Sequence, residues 1–178
     1  MRTVYQTVID TDDADKIENN GPIKCNANDA WLGFGYYFWE EFISLAHYWG
    51  KTHCRGNYVI CRAYCDLSSD DIYDLINNPK HIQEFHEIAM ELKEKYGNKI
   101  TVSFILEYLK SINIFAYKAV RACGINSFPN FSNKIPFAKW AHIESLPAWQ
   151  ICFYYKNLIV KGSYKIVYPD EYAQDYVV

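Results

Sequence analysis

The residue types best suited to chemistry lie in one short segment, residues 29–39, where two glycines precede a run of aromatics. Gly33 and Gly35 are one residue apart, and four aromatic side chains follow at 36–39. Glycine lets a backbone turn sharply or approach a ligand closely, and an aromatic ring offers a flat surface for another ring to stack on. The order predicts a loop, a short strand and a helix that hold a ring-containing ligand against the strand. The alternative is that this aromatic run belongs to the core, because a Gly-x-Gly pair alone is a weak signal.

The helix that follows is predicted over residues 42–49, because apolar side chains recur there at helical spacing. They are Phe42, Leu45, Ala46 and Trp49.

Strands are predicted at both ends of the chain and in the middle, where β-branched and aromatic residues concentrate. Their ranges are 2–9, 57–65, 149–155, 158–160 and 164–168. The segment 114–121 fits either a strand or a helix. A short early helix follows the first strand, and two further helices form an insert at about 75–112. The whole pattern predicts an α+β fold in a single domain, 1–178.

Two segments between these elements are predicted to be irregular. Residues 66–74 are polar and read as a connection. Residues 124–147 carry three prolines, and loops of that length in a compact domain are usually functional or mobile.

The composition narrows the classes of partner. The 178-residue chain has a net charge of −3 and a pI of about 5.9, so tight nonspecific binding to nucleic acid is disfavoured, although a local patch stays open. No apolar run reaches the length of a membrane span. The N-terminal residues lack a hydrophobic signal core. A cytoplasmic protein without a membrane partner is the expectation.

The cysteines do not favour a metal site. Six are present, and His53, Cys54, Cys61 and Cys65 are near enough in sequence to be drawn as a cluster. No Cys-x-x-Cys pair accompanies them, as a structural zinc site would require. We therefore expect free thiols and no metal.

Three separated motifs occur in a fixed order. The first strand contains Tyr-Gln-Thr-Val at 5–8, Gly-Phe-Gly-Tyr-Tyr-Phe at 33–38 is followed by Ala-x-x-Trp at 46–49, and Gln-Ile-Cys-Phe begins a late strand at 150–153. Together they resemble the ADP-ribosyltransferase superfamily, in particular small bacterial members related to the poly-ADP-ribose polymerases and diphtheria toxin. The resemblance spans nearly the whole chain except the insert.

The resemblance implies a split β-sandwich that holds NAD in a cleft and passes ADP-ribose from NAD to an acceptor. Tyr37 would stack on the nicotinamide ring, and Gly35 would let the backbone close on its carboxamide. Gln6 would hydrogen-bond the adenosine ribose, and Gln150 would orient the nicotinamide ribose. The implied catalytic residues are Gln150, Tyr37 and Gln6, and the implied NAD-binding residues are Gln6, Thr7, Gly35, Tyr36, Tyr37 and Arg121.

The chain departs from the family pattern at two of these positions. Gln6 stands where many relatives have His, and Gln150 stands where the best-studied transferases have Glu. An amide at position 150 keeps a hydrogen bond but loses the charge that stabilises the developing cation.

Arg121 is assigned to a phosphate or acceptor contact because a guanidinium suits phosphates, or else it is a surface arginine. Tyr36 is alternatively a core residue.

The expected partners follow from that activity. They are NAD, a protein or nucleic-acid acceptor and, if the chain is the toxin of a toxin–antitoxin or phage-defence system, an antitoxin protein. A second possibility is a catalytically weak or inactive module of the same fold that binds NAD, ADP-ribose or a protein.

Overall fold

The computed structural model describes residues 1–124, 134–138, 141–144 and 146–173, which contain both strands and helices. The strands are β1 (Arg2–Ile9), β2 (Tyr36–Glu40), β3 (Tyr58–Cys65), β4 (Ile72–Asp74), β5 (Ala119–Cys123), β6 (Lys134–Ala138), β7 (Ala141–Glu144), β8 (Trp149–Phe153) and β9 (Lys165–Tyr168). The helices are α1 (Ala14–Asn20), α2 (Ile43–His53), α3 (Pro79–Tyr96) and α4 (Val102–Ser111). This mixture of sheet and helix confirms the predicted α+β class.

Seven of the strands make one sheet in the order β4-β5-β8-β2-β1-β3-β9, and β6 pairs with β7 as a separate hairpin. The β4–β5 pair is parallel, and the other pairs in the sheet are antiparallel. Chain order and sheet order differ widely, so neighbouring strands come from distant parts of the sequence.

The sheet is weakly joined in its middle. Strand β1 pairs with β3 along its whole length, from Arg2 to Ile9. It pairs with β2 only at Val4↔Glu40 and Tyr5↔Trp39. Beyond that point β2 continues to pair with β8, on its other side. The sheet therefore divides into two halves, β4-β5-β8-β2 and β1-β3-β9, which separate past Tyr5.

Both faces of the sheet are covered. One face is filled by a core that includes Val4, Phe38 and Ile151. On the other face the helical insert covers the β5-β8-β2 half through Leu106 and Leu109, while α2 covers the β1-β3 half. The helical insert and α2 leave a space between them, above the place where β1 and β2 separate.

Local signals explain the insert helices well. Asn78 caps α3 with its side-chain oxygen, Pro79 stands at the first turn, and Gly97 ends the helix at φ 69°. The Thr101 hydroxyl accepts a hydrogen bond from the Phe104 N–H at 3.1 Å and starts α4. Both helices fall inside the predicted insert at 75–112.

Four predictions about strands need correction or refinement. Residues 66–74, predicted to be a connection, contain β4, whose three residues are too few to show a pattern. The predicted irregular stretch 124–147 contains β6 and β7, and the rest of it from 125 to 145 lies outside the described residues. The predicted strand 158–160 is wrong: Leu158 ends a 3₁₀ turn, Lys156–Leu158, and Ile159 forms one isolated bridge with Cys65. Of the ambiguous segment 114–121, only the end is regular: Ala119 begins β5, and residues 114–118 are in neither a strand nor a helix.

Arg121, predicted from the resemblance to contact a phosphate or an acceptor, is instead held inside the fold. It is 2% exposed. Its Nε donates to Glu40 Oε2 at 2.6 Å, its Nη2 to Glu40 Oε1 at 3.0 Å, and its Nη1 to Asp74 Oδ2 at 3.1 Å. Its guanidinium lies 5.4 Å from the centre of the Trp149 ring. Burial lowers the pKa of Arg121, but the Glu40 and Asp74 carboxylates outweigh burial and raise it. Arg121 therefore joins β5, β2 and β4 and has a structural role.

We predict that Glu40→Gln lowers the free energy of unfolding by about 3 kcal/mol, because it leaves a buried guanidinium short of a counter-charge. Urea titration followed by circular dichroism measures the change. The control is Glu41→Gln, which breaks a surface pair with Arg2 at 3.6 Å and should cost less than about 1 kcal/mol. Equal losses in the two variants would contradict the assignment.

Candidate functional site

A cavity of about 610 Å³ opens where the two halves of the sheet separate. Its walls come from β1, α1, the segment 23–31, β2, the C-terminal half of α2, and β8. This volume lies within the usual range for small-molecule sites. The cavity is thus a direct result of the incomplete pairing between β1 and β2.

The cavity brings together four of the residues that the resemblance implicated. Gln6, Thr7, Tyr37 and Gln150 all line it, although they lie on three different strands. The other three, Gly35, Tyr36 and Arg121, are not among its lining residues. Four of the seven positions therefore meet at one place.

Gln6 uses its whole amide on protein groups. Its Nε2 donates to the Ile23 carbonyl at 2.8 Å and to the Tyr37 carbonyl at 3.2 Å. Its Oε1 accepts from the Ile23 N–H and from the Tyr164 hydroxyl, both at 2.8 Å. A primary amide has two donors and two acceptor positions, so all four are taken. Gln6 therefore shapes the cavity, and in this arrangement its amide has nothing left for a ribose.

Gly35 is required by strand packing. A Cβ on Gly35 would lie 2.5 Å from Cys152 Sγ and 2.7 Å from the Phe153 carbonyl oxygen. Its N–H donates to the Cys25 carbonyl at 3.1 Å, and its carbonyl accepts from the Cys25 N–H at 2.7 Å. Both of its main-chain groups are thus paired, so the close approach that the glycine permits is to β8 and to residue 25.

Tyr36 points away from the cavity. Successive residues of a strand alternate between its faces, and Tyr36 packs on the face opposite Tyr37, against the core that contains Phe38. The Lys156 ammonium lies 5.2 Å from the centre of its ring. The structure thus agrees with the alternative that the sequence left open for this residue.

Tyr37 holds the segment that precedes its own strand. Its hydroxyl accepts from the Leu32 N–H and donates to the Gly33 carbonyl, both at 2.8 Å. Burial raises the pKa of Tyr37, so the hydroxyl stays protonated and keeps both bonds through neutral and mildly alkaline pH. The ring, rather than the hydroxyl, is the part of Tyr37 available to a ligand.

Gln150 is fixed by a tryptophan that the sequence-based assignment did not include. The Trp31 indole N–H donates to Gln150 Oε1 at 2.7 Å. Gln150 is 5% exposed and stands opposite Trp39 of β2 in the sheet register. Trp31 lies inside the segment 29–39 that the sequence singled out, but its hydrogen bond joins positions 119 residues apart and leaves no local signal.

Further aromatic rings form one wall of the cavity. The ring centres of Trp39 and Trp49 are 5.9 Å apart, and those of Trp49 and His53 are 3.5 Å apart at an angle of 8°. Trp49 was predicted on the inner face of its helix, which is the face that reaches this wall. His53 was considered only as a metal ligand, because nothing in the sequence indicates its stacking on Trp49.

The charges of the cavity come from its outer segments. Lys16 of α1 and Lys24 line it, together with Asp29. Neither lysine makes an ion pair with the part of the chain that is described. Two ammonium groups against one carboxylate favour an anionic ligand.

Comparison with known proteins gives no family for the chain: no family model, curated protein or solved structure matches it. Across the described ranges, no three His, Cys, Asp or Glu side chains come together in a way that would hold a metal ion. None of the helices in those ranges has both the length and the apolar character needed to cross a membrane.

We predict that Gln6→Leu lowers the free energy of unfolding by at least about 2 kcal/mol, because each buried polar group left without a partner costs about 1–3 kcal/mol. Urea titration measures the loss. The control is Gln83→Leu on α3, where an exposed side chain donates to Glu87 and the change should stay within about 0.5 kcal/mol. A loss no greater than that of the control would show that Gln6 does not hold the cavity together.

Proposed function

We propose that the chain is an NAD-dependent ADP-ribosyltransferase with the split β-sandwich fold of that superfamily. The observation that carries the proposal is that Tyr37 and Gln150, from separate motifs, meet in one cavity that lies in the division of the sheet. Gln6, from a third motif, lies at the same division and holds it open. These three positions are 31 or more residues apart in sequence, so their meeting depends on the fold.

The cavity has a suitable charge for NAD. Its β1 wall, from Gln6 to Ile9, is about 10 Å long at roughly 3.3 Å per residue. We assign the nicotinamide to the end with Tyr37 and Gln150, since planar rings and an amide meet there. The lysines 16 and 24 suit the two phosphates, because ammonium groups bind phosphate as point charges.

The reaction would proceed by displacement at the ribose carbon attached to nicotinamide. That carbon–nitrogen bond breaks, nicotinamide leaves with the electron pair, and the acceptor oxygen or nitrogen forms a new bond and loses a proton. Positive charge develops on the ribose in between. Rings and an amide in a partly enclosed cavity exclude water and hold the ribose in place, which is the contribution of positioning.

The acceptor is a protein or a nucleic acid, and an antitoxin protein is the expected inhibitor if the chain is a toxin.

A second function is favoured by two observations on the same residues. Gln150 is neutral and its Oε1 is already bonded to Trp31, and the Gln6 amide is fully used within the protein. Both features weaken catalysis without closing the cavity. A module that binds NAD or ADP-ribose without turnover is therefore the alternative.

We predict that the purified protein releases nicotinamide from NAD and that Gln150→Ala and Tyr37→Ala each reduce the rate at least tenfold. A tenfold loss corresponds to about 1.4 kcal/mol of the activation barrier, a modest share for one positioned group. Chromatography of nicotinamide measures the rate, and Gln83→Ala on α3 is the matched control. Calorimetric NAD binding without any release would favour the binding module, and neither binding nor release would overturn both functions.

We also predict that the double substitution Lys16→Ala, Lys24→Ala weakens NAD binding by about tenfold or more and leaves free nicotinamide binding unchanged. The reason is that only NAD carries phosphates, and a charge-assisted hydrogen bond contributes about 1.5–3 kcal/mol. Isothermal titration calorimetry measures both affinities. The control is Lys80→Ala, Lys93→Ala on α3, which removes the same charge outside the cavity. Equal weakening in both pairs would contradict a phosphate contact at these lysines.

A further inference from the structure

The hydrogen bond between Trp31 and Gln150 fixes which way the Gln150 amide faces. The oxygen and nitrogen of a side-chain amide are similar in size, so the hydrogen bonds around them decide which way the amide faces. An indole N–H can only donate, so the atom 2.7 Å from it is the amide oxygen. The orientation of Gln150 is therefore determined by Trp31.

Trp31 is itself held firmly in place. The Tyr37 hydroxyl is hydrogen-bonded to both Leu32 and Gly33, the two residues that follow Trp31 in the chain. The Tyr154 hydroxyl donates to the Leu32 carbonyl at 2.8 Å. The far edge of the indole lies over Gly124 at the end of β5, where an added Cβ would touch it at 3.5 Å. The indole is thus held between its own loop and the end of β5.

This arrangement leaves the amide nitrogen as the group that Gln150 offers to a ligand. In the described part of the chain no group accepts a hydrogen bond from Nε2, and Gln150 lines the cavity. A donor bonded to a ribose hydroxyl oxygen withdraws electron density from the sugar. An acceptor bonded to the hydroxyl proton does the opposite and stabilises positive charge on the sugar. The observed orientation therefore holds the ribose in place but stabilises its developing positive charge less than the reverse orientation would.

We propose that Trp31 is a positioning residue that holds the Gln150 amide in its donor orientation and so restrains NAD cleavage. The proposal rests on the proposed function, because it concerns the rate of that reaction. Loss of the indole contact lets the amide rotate and present its oxygen to the ribose. In the wild-type protein Trp31 therefore slows the reaction without blocking the cavity.

The test is Trp31→Phe, which keeps an aromatic ring and removes the N–H. We expect kcat for nicotinamide release to rise several-fold while KM for NAD stays within about twofold. A merely structural tryptophan would give a fall in kcat, so the direction of the change separates the two roles. Circular dichroism and thermal unfolding of the variant show that it has folded.

The background Gln150→Glu provides the internal control. A carboxylate has two oxygens, so one can accept from Trp31 while the other faces the ribose, and release should be faster than in the wild type. Adding Trp31→Phe to Gln150→Glu should then give no further rise. If Trp31→Phe does not fold, Tyr154→Phe replaces it, because it loosens Leu32 and should raise kcat in the same direction.

The outcomes separate this inference from the proposed function. Release by the wild type that falls or stays unchanged in both Trp31→Phe and Tyr154→Phe overturns the proposed role of Trp31 alone. A rise of equal size in the Gln150→Glu background also overturns it, since the amide would not be the cause. Release from neither the wild type nor any variant overturns both proposals.

Discussion

The side chain of Gln6 takes the place of main-chain pairing at the point where β1 and β2 separate. A strand that leaves its neighbour exposes N–H and C=O groups that need partners. Gln6 supplies one to the Tyr37 carbonyl across the gap and binds Ile23 of the covering segment at the same time. One amide thus bridges the division and binds the segment that covers it.

The remaining contacts of the cavity follow from that arrangement. The segment fixed at Ile23 continues to Cys25, which pairs with Gly35 through two main-chain hydrogen bonds. Between these anchors the chain carries Trp31 to Gln150. The cavity is therefore enclosed by a chain of hydrogen bonds that links β1 to the covering segment and that segment to β8. Because each of these side chains is bonded on more than one side or lies in a strand, it has few alternative positions.

Much of the fold could be predicted from the sequence, because the relevant signals are local. β1 was predicted with its observed bounds, and Asn78, Pro79 and Gly97 mark the ends of α3. β4 could not be predicted, because its three residues are stabilised by parallel pairing with β5, which lies more than 40 residues later. Its existence depends on the completed sheet.

The candidate site was only partly predictable for the same reason. The motifs pointed to Tyr37 and Gln150, and the ring of Tyr37 and the amide of Gln150 do line the cavity. Arg121 was predicted to contact a phosphate, but it is buried and forms ion pairs with Glu40 and Asp74. Neither carboxylate is near Arg121 in sequence, so no local signal indicated these pairs. The pairing of Trp31 with Gln150 is equally nonlocal. Residue type indicated which side chains suit chemistry, but only the fold determines which of them are free for it.

The helical insert is continuous with the cavity wall and is not an appendage. Lys110 of α4 places its ammonium 3.8 Å from the centre of the Tyr154 ring, and Phe115 packs edge-on to the same ring. Leu106 and Leu109 share a core with Tyr37 and Trp31. Trimming the chain to a minimal sheet would uncover this shared core and loosen the tyrosines that hold the loop. The insert and the cavity therefore share one packed core, and sequence change in either is constrained by the packing of the other.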